Sequence, residues 1–94
     1  MDKSRRFASV WDAIEDTPAE AESMKLRSAL MLAVREHIKA KGWTQAEAAQ
    51  RLSVTQQFVA DLMRGSIDLF SLDALVKMAT SIGLKVEMRV HVAP

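Results

Sequence analysis

Cysteine is absent from this chain. No disulfide framework can therefore staple it, and no thiolate can hold a metal. Such a composition suits a reducing cytoplasm. Long apolar runs are missing too: nothing approaches the roughly 18 apolar residues of a membrane-crossing helix. The opening MDKSRRFASVWDAIED has basic residues, but no apolar core of about 7–15 residues follows them, so it does not read as a secretory signal. Catalytic groupings are equally scarce. The two histidines are His37 and His91, and no H-E-x-x-H, nucleophile elbow or phosphate loop occurs. Glu36 neighbours His37, yet adjacent residues on a helix do not face each other. Repeats and low-complexity segments are also lacking. An enzyme is not expected, nor a cofactor or a resident metal.

What is present is a chain with 49% apolar and 27% charged residues, the balance of a soluble globular domain. The net charge of +1 hides an asymmetry. Residues 1–22 carry three basic and six acidic side chains, whereas residues 23–94 carry ten basic and six acidic. An acidic arm thus precedes a mildly basic body, and a basic body is compatible with nucleic acid.

Apolar spacing organises the body. Phe7, Val10, Trp11 and Ile14 recur at intervals of three and four, which marks one helix face. Thr17-Pro18 ends that pattern and can start the next helix, since proline fits a first helical turn. From Ala19 to Lys41 a long helical pattern follows, with Met24, Leu26, Leu30, Met31, Val34 and Ile38 as its stripe and Gly42 as its stop. Thr44 and Glu47 form the T-x-x-E capping box of a short helix with Ala48, Ala49 and Leu52 on its apolar side. After Ser53-Val54, Thr55 can cap a third helix with Val59 and Leu62 inward, closed by Gly65. Ser71 caps a fourth, striped by Leu72, Leu75, Val76, Ala79 and Ile82 and stopped at Gly83. Then the period changes. LKVEMRVHV alternates strictly, the pattern of a half-buried strand.

Two helices joined by so short a turn must cross steeply, and small residues such as Ala48 and Ala49 permit this. The first turn of the third helix then exposes Thr55, Gln56 and Gln57, with Asp61 further along. A helix held this way fits the major groove, N-terminal end first. The glutamine amide donates and accepts at once and matches the N6/N7 edge of adenine. The base-contacting set is thus Gln56, Gln57, Thr55 and Asp61. Phosphate contacts are expected at Thr44 and Gln45, which open the second helix, and at Lys41, Arg35 and Arg64 nearby.

Residues 42–65 resemble the helix-turn-helix of the XRE group, which includes the lambda-type repressors and Cro. The T-Q-A-E-A-A motif, Val54 after the turn, T-Q-Q and the closing R-G carry the likeness, and about 60 residues share it. The resemblance places Gln56 and Gln57 at base-reading positions, Gln45 at the phosphate backbone, and Ala49, Val59 and Leu62 inside. Three departures stand out. Ser53 replaces a common turn glycine, at a cost on the order of 1 kcal/mol if its φ is positive. Ile38 and Met63 replace an arginine–glutamate pair, so neither charge is stranded. Phe58 and Asp61 stand where polar or basic readers are common, and within the third helix no arginine precedes Arg64, which disfavours a guanine-rich target.

A narrower likeness is to HigA-type antitoxins, small XRE-type proteins encoded beside toxins. It lies in VWDAIEDTPAEAE, MKLRSALMLAVREHI, SIDLFSLDALVKMA and LKVEMRV. It implies repression of an adjacent operon and neutralisation of a RelE/HigB-like toxin, with Phe7, Val10, Trp11 and Ile14 in the acidic arm as toxin contacts. Those residues could equally fold back on the domain. The strand lacks a partner in its own chain, which invites a second copy. An antiparallel axis at Met88 sets Glu87 opposite Arg89 and Val86 opposite Val90; an axis at Val86 pairs Lys85 with Glu87 instead.

The expected fold class is mainly α: a lambda-repressor-like helix-turn-helix bundle of about four to five helices with a C-terminal β-strand paired across a dimer. The chain divides into an acidic, partly helical arm (1–23), a DNA-binding domain (24–83) and a dimerisation strand (84–94). The expected role is a cytoplasmic, nucleoid-associated homodimeric repressor of double-stranded DNA without membrane contact, and an autoregulatory antitoxin. A toxin-neutralising interaction module with weak or no DNA binding is the alternative.

Overall fold

The computed structural model describes residues 17–94, so the arm residues Phe7, Val10, Trp11 and Ile14 lie outside the described part. Among the described residues, four α-helices and one 3-10 turn (Ile67–Leu69) make up the regular structure: α1 (Pro18–Lys41), α2 (Gln45–Leu52), α3 (Gln56–Arg64) and α4 (Leu72–Ser81).

α1 starts where proline's fixed φ suits a first turn, and the Thr17 hydroxyl accepts the Glu20 N–H at 3.1 Å. Burial is confined to its second half, at Met31, Val34 and Ile38. Met24 and Leu26, on the same expected stripe, are exposed. A helix of 24 residues is about 36 Å long, more than the three short helices need to cover their core.

The other three helices begin alike. Each has a Thr or Ser cap whose hydroxyl accepts the N–H three residues on: Thr44 from Glu47, Thr55 from Phe58 and Ser71 from Ala74, each at 3.1 Å. Each cap follows an apolar residue, Trp43, Val54 or Phe70. Each is followed, four residues on, by a fully buried one: Ala48, Val59 or Leu75. That is the arrangement of a hydrophobic staple, which sets the angle at which the chain enters a helix. The ends repeat as well. Gly42, Ser53 and Gly65 all turn left-handed, and the next residue's N–H returns to a carbonyl five residues back (Trp43 to Ile38, Val54 to Ala49, Ser66 to Asp61). Ser53, at φ 60°, is the sole non-glycine residue with positive φ among those described.

α1 packs chiefly on α4, and α2 on α3. Phe70, Leu62, Leu75, Val34 and Val59 are the largest fully buried side chains. Arg27 reaches across from α1 to donate to the Phe70 carbonyl at 3.5 Å, tying the long helix to the entry of α4.

The fold class needs one correction. The expected C-terminal β-strand does not form: among the described residues there is no strand, and 84–94 run without regular structure. The alternation finds the core only at Leu84 and Val86. Met88, Val90 and Val92 are exposed, the last at 91%. A strand exists only through hydrogen bonds to a neighbour, and every other described element is helical. Alternation therefore placed Leu84 and Val86 inward without creating a strand.

Candidate nucleic-acid interface

α3 presents the first-turn residues because Val59 and Leu62 anchor it from beneath, both at 0% exposure. Gln56 and Gln57 stand exposed at its N-terminal end, as the sequence suggests. Thr55 is exposed too, but its hydroxyl already accepts the Phe58 N–H. Phe58, which stands at a common reader position, turns inward instead and stacks on Phe70, with ring centroids 4.7 Å apart.

Asp61 is not free. Its Oδ1 accepts from Gln57 Nε2 at 3.2 Å and from the Arg64 guanidinium, and its side chain is only 15% exposed. All three residues lie on one face of α3 at i, i+4 and i, i+3 spacing.

The N-terminus of α2 is closed by a reciprocal capping box: the Thr44 N–H donates to Glu47 Oε1 at 3.0 Å while Thr44 accepts the Glu47 N–H. The amides of Gln45 and Ala46 are the first-turn donors left for an anion. The Glu47 carboxylate sits at the same end and opposes a phosphate there. Lys41, in the last turn of α1, is exposed beside this end. Arg64 is exposed at the far end of α3. Arg35 is half-buried: a Cβ on Gly65 would stand 3.4 Å from its Nη1, and its buried Nε has no hydrogen-bond partner among the described residues. The guanidinium thus meets the negative end of α3, a contact the sequence did not reveal. Ile38 lies in the core and Met63 packs against it, so the arginine–glutamate pair's place is filled by apolar contact.

One further grouping was not foreseen. Trp43, between α1 and α2, takes the Arg51 guanidinium over its ring at 4.7 Å and the edge of His37 at 5.6 Å between centroids. Trp43 lies before the cap of α2 and Arg51 in its last turn, so no helix pair rule joins them. Of the tail residues, Val86 packs against the core, while Glu87, Met88, Arg89 and Val90 are exposed. Val86, Glu87, Met88 and Arg89 edge an apolar groove that runs between Leu30 of α1 and Val76 of α4. Among the described residues no cluster of His, Asp or Glu is arranged to hold a metal, and no helix is long and apolar enough to cross a membrane.

The comparisons agree with this geometry. A solved structure described as an XRE family transcriptional regulator matches with a TM-score of 0.73 and 27% identity, covering 80% of this chain and 84% of that one. No curated protein matches. A family model described as a helix-turn-helix domain matches residues 13–91. That span holds all four helices and their caps, and the chain belongs to this helix-turn-helix domain family.

Proposed function

We propose that this chain is a sequence-specific DNA-binding transcriptional repressor. The observation that carries the reading is the pair Gln56 and Gln57, exposed on a first turn that buried Val59 and Leu62 hold in place. In this reading α3 enters the major groove, with Gln56, Gln57 and Thr55 toward the bases and Asp61 behind them. Gln45 and Thr44 at the opening of α2, with Lys41, Arg35 and Arg64, hold the phosphates. The match to a structure described as an XRE family transcriptional regulator supports it. The protein acts as a homodimer on a palindromic operator. The exposed apolar tail residues Met88, Val90 and Val92 supply surface for a second copy, and a dimer offers two α3 helices to half-sites about 34 Å apart or a multiple of that. Its compartment is the cytoplasm, on the nucleoid. The acidic arm neutralises a RelE/HigB-like toxin, so that repression of the shared operon is autoregulatory.

A second reading, a toxin-binding module with weak or no DNA affinity, draws on the acidic groups near the interface: Asp61 on α3 and Glu47 at the opening of α2. Selection of bound sites from random duplexes, followed by titration of the winner at several salt concentrations, separates the two. A repressor enriches an inverted repeat and loses affinity linearly in log salt, with a slope of about −0.9 per phosphate neutralised. Absence of enrichment and of salt dependence supports the second reading.

A further inference from the structure

We infer that Asp61 is a positioning residue, which fixes the Gln57 amide so that its oxygen and one N–H face a base edge in the order that adenine matches. The inference rests on the DNA-reading role proposed above. A glutamine amide can turn over, exchanging its oxygen and nitrogen ends, and the two orders read different bases. A carboxylate only accepts hydrogen bonds. With Gln57 Nε2 donating to Asp61 Oδ1, the nitrogen end is directed to Asp61, because the reversed amide would set oxygen against oxygen. Arg64 donates to the same Asp61 oxygen and braces the carboxylate from the other side. Its charge also offsets that of Asp61 toward phosphates.

The amide nitrogen carries two hydrogens, and Asp61 engages one. In this inference Asp61 takes the hydrogen on the far side from Gln57 Oε1, and the other stays beside that oxygen, giving an acceptor and a donor side by side. Adenine offers the complement in the major groove, an N6 donor and an N7 acceptor. Cytosine offers a donor to the oxygen alone. Guanine offers two acceptors and thymine O4 one, so both set an acceptor where Gln57 Oε1 needs a donor. The order of preference at this position is adenine, then cytosine, then guanine and thymine. Asp61, at 15% exposure and bonded on both sides, reads no base of its own.

Two measurements on the full chain test this. The first needs no DNA. In wild type, the side-chain amide resonances of Gln57 stand apart from those of exposed Gln56; in Asp61→Asn and Asp61→Ala they move toward Gln56. Unchanged resonances in both variants overturn the hold. The second is site selection from random duplexes. Wild type selects adenine at one position per half-site, and Gln57→Ala loses it. Asn accepts either end of a glutamine amide, so Asp61→Asn frees Gln57 to turn over. Adenine preference at that same position falls by about tenfold, while guanine or thymine rises. Asp61→Asn adds nothing at that position in a Gln57→Ala background. An unchanged preference overturns the inference, as does loss of cytosine at a different position, which makes Asp61 a direct reader. If wild type selects no sequence at all, the repressor reading falls first and this inference with it, whatever the amide resonances show about the hold.

Discussion

The α2–α3 unit and the tail after Gly83 both carry regular apolar patterns, yet only the first forms regular structure. In α2–α3 every capping bond is made within five residues. Hydroxyl caps close the N-termini, and left-handed turns at Ser53 and Gly65 close the C-termini. The tail's alternation is just as clear, but its backbone partners would have to come from another strand. Leu84 and Val86 reach the core, and the rest is exposed. A local pattern produces an element when its hydrogen bonds are local too; a strand pattern states only which side faces inward.

The contrast can be broken at either end. The largest effect is expected from Leu62→Ala, which empties a fully buried site under α3 and should cost about 2–5 kcal/mol in urea unfolding. A loss below 1 kcal/mol would mean that α3 is not anchored as described. Thr44→Ala removes the hydroxyl of the capping box and should cost about 1 kcal/mol by the same measurement. Ser53→Gly relieves a left-handed residue at φ 60° and should raise stability by up to about 1 kcal/mol; destabilisation would show that the serine makes a contact worth more than its strain. The smallest effect belongs to the tail. Val92→Ala should change unfolding by less than about 0.5 kcal/mol at concentrations where the chain is monomeric. A larger loss would show that the tail packs on the domain.

Much of the helix frame that carries the candidate interface was legible because its grammar is local. Thr44-x-x-Glu47, Thr55 and the stops at Gly42 and Gly65 set the helix bounds, and Val59 and Leu62 set the buried face. The Gln57–Asp61–Arg64 chain was legible in principle, since its spacings are those of helix neighbours. Reading Asp61 as a lone base contact overlooked them. Phe70 and Trp43 carried a weaker cue, an apolar residue just before each cap. The contacts of Arg27 with the Phe70 carbonyl and of Arg35 with the end of α3 join residues 43 and about 30 positions apart, and no local rule reaches that far. The exposed start of α1 had the right period and the wrong surroundings: periodicity gives a face, not what covers it.

The central claim is that the first turn of α3 reads bases. The direct test compares wild type with the double variant Gln56→Ala, Gln57→Ala, titrating each with the selected operator and with unrelated duplex at one salt concentration. The operator-to-unrelated affinity ratio should collapse toward one while binding to unrelated duplex is largely kept, because the proposed phosphate contacts lie elsewhere. An equal fall on both duplexes, or an undiminished ratio, would contradict it.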